Sequence, residues 1–337
     1  MHDFLNAFVL LANFVLIPAT SYGAQLALGA LGVTLIYAVL RFSNFAHGDM
    51  MAFGTAVVIL VTGALQGLGV GLGPLPTALL ALPAGILAAI LLALATDRVV
   101  YRFYRAQKSP PVVFVMASVG VMFIYNALTR FLVGTNDQRF EDGERFVMRV
   151  GDFRELTGLD QGLALRTSQV ITVVVMVIVV IAVFWFLQKT RTGKAMRAYS
   201  DNEDLALLSG IDPARVVMIT WILAATLATI AGTLYGLDKS FRPFTYFQLL
   251  LPIFAAAIVG GIGQPFGAIA GGFIIAFSEV LLTYAYKGFL TYILPKNLAP
   301  EGLAQILGTD YKFAVSFIIL VLVLLIRPTG IFRGRVI

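Results

Sequence analysis

Long apolar runs alternate with short polar segments along almost the whole chain. Eight runs fall near residues 4–18, 22–40, 50–65, 74–95, 111–133, 168–187, 217–237 and 312–326, and a longer one covers 249–286. An α-helix needs about 20 apolar residues to cross the hydrocarbon core of a bilayer. The pattern therefore predicts an all-α, polytopic transmembrane helix bundle of about 8–10 spans. The run at 249–286, broken by GGIGQPFG, is expected to form two passes or a re-entrant hairpin.

The composition supports a membrane protein and excludes several kinds of site. Of the 337 residues, 59% are hydrophobic and 12% are charged, against roughly 25% charged in an average soluble domain. We therefore interpret residues 1–337 as one transmembrane domain. The chain has no cysteine and two histidines, so disulfides and thiol chemistry are excluded and a metal site built from histidines is not expected.

The basic residues predict the orientation. They cluster in residues 97–108, in residues 188–216 and in the C-terminal tail, and cytoplasmic loops carry an excess of Lys and Arg. The net charge of +6 is explained by these loops and not by nucleic-acid binding. The first run has no basic residue before it, so we interpret it as a retained span and not a signal peptide. If residues 249–286 cross an even number of times, both termini lie in the cytoplasm.

The polar stretch RFSNFAHGDMMAFG, residues 41–54, interrupts two apolar runs. Non-helical backbone at membrane depth is tolerated only where protein buries it or water reaches it. One interpretation is a helix start at Met50, with Asn44 as a cap, Gly48 in a left-handed turn and Asp49 at the positive first turn. The other is a break that lines a solute path.

A second break lies in AAAIVGGIGQPFGAIAGGFIIAFSE, residues 255–279. Pro265 predicts that a helix starts or bends there, and Glu279 is expected to face the bundle interior or the outer interface. Glycines at a spacing of four leave one helix face bare for close packing: Gly263, Gly267 and Gly271. A pore-lining re-entrant loop is the alternative. From the two breaks we predict a substrate pathway formed by Asn44, His47, Asp49, Gly263 and Gln264.

The polar linker at residues 188–216 predicts a short amphipathic helix with an acidic start and an apolar end. Ser200 followed by Glu203 has the spacing of a capping box, Gly210 is suited to ending the helix, and Asp212 is placed to cap the next span. Such a helix suits docking into a groove of a cytosolic protein. On the other side, residues 134–167 form an outer loop of mixed charge, either a solvated connection or an amphipathic docking surface.

Four segments together resemble the inner-membrane permease subunits of branched-chain amino-acid ABC importers, in particular the H-type paralogue. The resemblance spans nearly the whole chain, and the segments that carry it are residues 32–54, 192–212, 255–272 and 326–335. In that family the linker helix is the coupling helix, which sits in a groove of the ATPase. The resemblance therefore implies a role in ATPase coupling for six positions: Met196, Arg197, Glu203, Asp204, Leu207 and Gly210.

The same resemblance implies the partners and the location. We expect a heterodimer with a paralogous M-type permease, two cytosolic ATPase subunits and a periplasmic substrate-binding protein, in the lipid of the bacterial inner (cytoplasmic) membrane. The chain itself is expected to be a transport subunit and not an enzyme. It should hold no cofactor, with ATP and Mg bound by the ATPase partners, since GVGLGP at residues 69–74 lacks the Lys and Ser/Thr of a phosphate-binding loop.

The solute and the class of transporter leave alternatives. Branched-chain or hydrophobic amino acids are the expected solutes, but related importers carry urea or short amides. A self-sufficient secondary transporter or channel would need a proton-coupling carboxylate, for which Asp49 and Glu279 are the candidates. A membrane-embedded enzyme would need paired carboxylates or histidine clusters at helical spacing, which the sequence does not supply.

Overall fold

The computed structural model describes residues 2–140, 145–294 and 302–332. Two short strands, β1 Phe146–Met148 and β2 Leu165–Arg166, pair antiparallel, and everything else of regular structure is helical. The helices are α1 His2–Leu40, α2 His47–Gly67, α3 Ala78–Ala106, α4 Pro111–Val133, α5 Val150–Thr157, α6 Thr167–Lys189, α7 Arg191–Asp201, α8 Glu203–Leu208, α9 Pro213–Asp238, α10 Pro243–Gly260, α11 Pro265–Thr283, α12 Lys287–Ile293 and α13 Lys312–Ile326.

Within the described residues, nine helices are long and apolar enough to cross a membrane. They are α1 to α4, α6, α9 to α11, and α13 with the 3₁₀ turn Thr309–Tyr311 that leads into it. The predicted all-α polytopic bundle is confirmed, and the chain is a multi-pass membrane protein. The run at 249–286 forms α10 and α11 with a turn at residues 261–264, so the prediction of two passes is the correct one.

The two apolar runs at 4–18 and 22–40 form a single helix, α1, so the prediction of two spans there is wrong. A π-helical turn at Ala12–Leu16 precedes Pro18. This wider turn changes the hydrogen-bond register just before the proline, so that its missing N–H does not end the helix. The 39 residues of α1 extend about 58 Å, roughly twice the thickness of the hydrocarbon core.

Contacts between the connecting segments define two ends of the bundle. The linker end contains residues 41–46, 107–110, 190–212, 261–264 and 327–332, and the loop end contains residues 68–77, 134–140, 145–166, 239–242, 284–294 and 302–308. At the linker end Arg41 donates a hydrogen bond to the carbonyl of Ser200. At the loop end Arg242 pairs with Asp137.

The described residues nearest the two chain termini lie at opposite ends of the bundle. Near the N-terminus, Asn6 Nδ2 donates to the Asp160 carboxylate at the loop end, at 3.3 Å. Near the C-terminus, the N–H of Ile331 donates to the carbonyl of Val259, the last turn of α10, at 2.8 Å. The prediction that both termini share one side is therefore wrong, and the cause is the merging of the first two runs into α1.

Helices α1 and α9 form the centre of the bundle. In their most apolar stretches 89% and 72% of the residues are buried, against 22% for α6 and 11% for α13. Close packing of α10 and α11 depends on glycine, since a Cβ added to Gly271 would lie 2.0 Å from the Ala256 carbonyl oxygen. Gly267 shares that role, with the carbonyl oxygen of Gly260 2.2 Å from an added Cβ. Gly263 does not, because it lies in the turn with φ +83°.

Candidate functional site

The segment 41–46 is a non-helical break inside the bundle. The N–H of Phe45 donates to Ser118 Oγ at 3.1 Å, and Ser118 is the eighth residue of α4. At 1.5 Å per residue this places the break about 10 Å inside the start of α4. The N–H groups of Arg41, Phe45 and Ala46 in this segment all donate to protein atoms, the kind of partner that a break at this depth requires.

Asn44 organises the turn that leads into α2. Its Oδ1 accepts from the N–H of Ala46 at 3.2 Å and from the hydroxyl of Tyr101 at 3.3 Å. Its carbonyl accepts from the N–H of His47 at 3.3 Å. Buried Asn44 therefore has a structural role in the turn. The prediction that it caps α2 is wrong, because the N-cap residue is Ala46 and no side chain caps the helix.

Two further details of the predicted helix start are wrong. Helix α2 begins at His47 and not at Met50, so Gly48 is helical. The left-handed residue is Arg41, with φ 60°, which ends α1. Gly48 serves packing instead, because an added Cβ would lie 2.7 Å from the carbonyl oxygen of Tyr246 in α10.

His47 and Asp49 are both fully buried. The His47 ring packs against the backbone of α1, where a Cβ added to Gly32 would lie 2.8 Å from Cε1. Asp49 lies in the first turn of α2, where the helix dipole stabilises negative charge. Its Oδ1 accepts from Asn126 Nδ2 at 2.7 Å, while Oδ2 has no hydrogen-bond partner among the described residues.

A polar cleft of about 370 Å³ opens at the loop end between α4 and α10. Six polar side chains line it: Arg130, Thr135, Asp137, Arg242, Thr245 and Gln248. Arg130 lies one helical turn beyond Asn126 on the same face of α4. A strip of polar side chains thus runs from the cleft through Arg130 and Asn126 to Asp49.

Gly263 and Gln264 lie apart from this strip. They occupy the turn between α10 and α11 at the linker end, where they line a cavity of about 170 Å³ together with Met196 and Arg197 of α7. The structure therefore divides the five predicted pathway residues. Asn44, His47 and Asp49 lie around the start of α2, and the other two lie beside the linker.

The linker forms two helices, α7 and α8, and the predicted capping box is not formed. Ser200 is inside α7, and the cap of α8 is Asn202, whose Oδ1 accepts from the N–H of Leu205 at 3.0 Å. Glu203 instead accepts from the Tyr199 hydroxyl at 2.6 Å. Burial, the hydrogen bond to Glu203 and the charge of Glu203 raise the pKa of Tyr199, which keeps this hydroxyl protonated.

The end of the linker agrees with the prediction. Gly210 has φ +80°, and the N–H of Ile211 bonds back to the Ala206 carbonyl at 3.1 Å, which is the 6→1 bond of a glycine-terminated helix. Asp212 then caps α9 by accepting from the N–H of Ala214 at 2.9 Å. These two predicted helix boundaries are confirmed.

The predicted coupling residues divide into an inward and an outward set. Met196 is buried, whereas the rest are exposed: Arg197, Glu203, Asp204, Leu207 and Gly210. Leu205 and Leu208, which the sequence analysis did not select, are 62% and 86% exposed. They and Leu207 form a leucine surface on α8 (Leu205, Leu207 and Leu208), next to the acidic first turn of the same helix.

The second intramembrane carboxylate, Glu279, belongs to a different cluster. It is fully buried in α11 and accepts a hydrogen bond from Ser316 of α13. Lys312 Nζ lies 3.7 Å from Glu279 Oε2 and also 3.7 Å from the centre of the Tyr22 ring. The prediction that Glu279 faces the bundle interior is confirmed, and its partners tie α13 to α11 and α1.

The described part of the chain contains no group of three His, Cys, Asp or Glu side chains placed to hold a metal ion. The residues that the sequence analysis missed near Asp49 are Asn126 and Arg130. The signal available in the sequence was their position within an apolar run, since polar groups inside a span are functional candidates by default.

Comparison with known proteins relates the whole chain to one family. A family model described as the permease component of branched-chain amino acid transport systems matches residues 16–324. The high-affinity branched-chain amino acid transport permease LivH of Salmonella typhimurium is 30% identical over 314 residues, covering 92% of this chain and 91% of that protein. BraD of Pseudomonas aeruginosa, with the corresponding description, is 27% identical over 318 residues, covering 94% of each chain.

A solved structure, PsaBC from Streptococcus pneumoniae in complex with Fab, aligns with 98% of this chain and 93% of its own chain. The TM-score is 0.44 and the identity 15%, a likeness too weak to support an argument about this chain.

Proposed function

Because this chain belongs to the permease family of branched-chain amino acid transport systems, as an H-type permease, we propose that it is the transmembrane permease subunit of an ATP-driven ABC importer. The solutes are branched-chain or other hydrophobic amino acids that a periplasmic binding protein delivers. The chain pairs with a paralogous M-type permease and with two cytosolic ATPase subunits, which bind ATP and Mg. It resides in the bacterial inner membrane.

The observation that carries this proposal is the leucine surface on α8. Large apolar side chains that are 43–86% exposed on a short helix outside the nine spans are suited to burial against a protein partner. The acidic first turn beside them, with Glu203 and Asp204, disfavours anionic lipid headgroups. Helix-in-groove docking on an ATPase subunit fits this combination.

The same segment is held firmly to the bundle, as coupling requires. Met196 of α7 is buried in the wall of the cavity that Gln264 also lines, and Arg41 at the end of α1 bonds the Ser200 carbonyl. A displacement of α8 by the ATPase would therefore be transmitted to the end of α1 and to the turn between α10 and α11. In this proposal the linker end faces the cytoplasm and the loop end faces the periplasm.

The first test is purification of the tagged chain from its native membrane in mild detergent, with the co-purifying proteins identified by mass. The proposal expects a second permease and ATPase subunits. The variant Leu205→Asp/Leu208→Asp should lose the ATPase subunits and keep the second permease. Leu156→Asp is the matched control, because Leu156 is 78% exposed on α5 at the loop end. Recovery of a homo-oligomer without any ATPase would contradict the proposal.

A further inference from the structure

The polar strip from the cleft to Asp49 contains two opposite charges, Arg130 on α4 and Asp49 on α2. Arg130 is exposed on the cleft wall, and the half-buried Asn126 one turn away holds the Asp49 carboxylate at 2.7 Å. Arg130 lies four residues after Asn126, on the same face of α4. Arg130 thus lies on the wall of the polar cleft, and the fully buried Asp49 carboxylate lies behind Asn126, outside the set of residues that line the cleft.

Only one of the two carboxylate oxygens of Asp49 has a hydrogen-bond partner among the described residues. Oδ1 is bound by Asn126, whereas Oδ2 is buried and has no hydrogen-bond partner among the residues described. An ionised carboxylate without partners is expensive to bury. The free oxygen therefore favours a ligand that brings its own positive, hydrogen-bond-donating group.

We propose that Asp49 and Arg130 bind the two charged groups of an α-amino acid as it passes through the permease. Asp49 Oδ2 accepts from the α-ammonium group, and Arg130 donates to the α-carboxylate, for which its planar guanidinium is suited. Pro243 and Phe244 in the same cleft supply an apolar wall for the side chain. This inference rests on the proposed function and adds the chemistry by which the permease recognises the solute.

Two other interpretations of these residues make different predictions. In the first, Arg130 is an interfacial anchor: it lies near the loop-end terminus of α4, where a basic side chain can extend to the membrane interface. Lys would anchor the helix equally well. A neutral solute such as urea would need neither charge. A zwitterion site instead requires the carboxylate and the guanidinium together.

The sequence allows a direct test because the chain contains no cysteine. Thr135→Cys places a single thiol in this chain, in the cleft beside Arg130, and its maleimide labelling is followed in the assembled transporter. Leucine should slow the labelling, while leucinol, which lacks the carboxylate, and 4-methylpentanoate, which lacks the ammonium group, should not. Leu156→Cys on α5 is the control site and should label at the same rate with and without leucine.

The test is completed in two charge variants of the Thr135→Cys chain. Asp49→Asn keeps an acceptor for Asn126 and removes only the charge, and Arg130→Gln removes the guanidinium. Each should raise the leucine concentration needed for protection at least about tenfold. Arg130→Lys should be impaired as well, whereas Arg154→Gln on the exposed face of α5 should match the unmodified chain.

The outcomes separate this inference from the proposed function. If the assembly imports leucine with ATP but leucine protects both charge variants as well as the unmodified chain, the zwitterion site is wrong and the proposed function stands. Equal protection by leucinol would also overturn the site. If the assembly imports urea and not leucine, the proposed substrate class fails first.

Discussion

Asp49 and Glu279 are both fully buried carboxylates inside the bundle, but their surroundings differ. Glu279 accepts from the Ser316 hydroxyl on one oxygen. Its other oxygen also lacks a hydrogen-bond partner among the described residues, but the Lys312 ammonium lies 3.7 Å from it, and the cluster joins three helices. Asp49 has a partner on one oxygen only, and the nearby Arg130 faces a cleft. Identical chemistry in the sequence therefore meets two environments: Glu279 lies beside a lysine, and Asp49 has no cation bonded to its free oxygen and is the group to which we assign a ligand.

The comparison teaches which buried charges to test for transport. A charge whose partners all come from the protein should affect folding when its partners are removed, because the remaining charge is left buried alone. A charge with no cation bonded to its free oxygen should, when that charge itself is neutralised, affect transport with little effect on folding. Substitutions around Glu279 should therefore change stability, and neutralising Asp49 should change transport.

The largest effect is expected for Lys312→Met. This change leaves Glu279 without its cation and should lower the free energy of unfolding by about 3 kcal/mol, the lower end of the range for buried pairs because the Lys312 side chain is 30% exposed. Thermal unfolding in detergent measures it. The double variant Glu279→Gln/Lys312→Met should recover most of the loss, and a double variant as unstable as the single one would argue against the pair.

Asn126→Leu tests the other carboxylate. The change removes the hydrogen bond to Asp49 and leaves a buried carboxylate without a neutral donor. The free energy of unfolding should therefore fall by about 2 kcal/mol. The same unfolding assay measures it, and combining Asn126→Leu with Asp49→Leu should reduce the loss. No change in stability would show that water or Arg130 satisfies Asp49 equally well.

Ser316→Ala removes one of the two groups that hold Glu279. A hydrogen bond to a charged group contributes about 1.5 kcal/mol or slightly more to stability. Because Lys312 remains in place, the free energy of unfolding should fall by about 1.5 kcal/mol. Uptake of leucine per folded transporter should be unchanged. Loss of uptake at normal stability would move the Glu279 cluster from the structural side of the comparison to the transport side.

The smallest change in stability is expected for Asp49→Asn, less than about 1 kcal/mol, because the amide oxygen still accepts from Asn126. Leucine uptake by the assembled transporter should nevertheless fall sharply, in contrast to Ser316→Ala. A variant with both stability and uptake close to those of the unmodified chain would remove the distinction between the two carboxylates.

Elements that depend on local sequence were predicted well. Gly210 ends α8 and Asp212 caps α9 because left-handed backbone and short-range side-chain bonds are decided within a few residues. Pro265 is the first residue of α11 for the same kind of reason. The capping box at Ser200 failed because a competing local cap, Asn202, lies two residues further on.

The sequence alone determined the class of the protein, an all-α membrane bundle, because apolar runs of sufficient length have no other stable arrangement in water or lipid. The tertiary structure decided which apolar runs pack against each other, and therefore which side chains come into contact. It merged two predicted spans into α1, separated Gly263 from Asp49, and brought Arg130 and Asn126 to Asp49 from another helix. Local patterns cannot encode such contacts, since residues 77 positions apart, as Asp49 and Asn126 are, become neighbours only through helix packing.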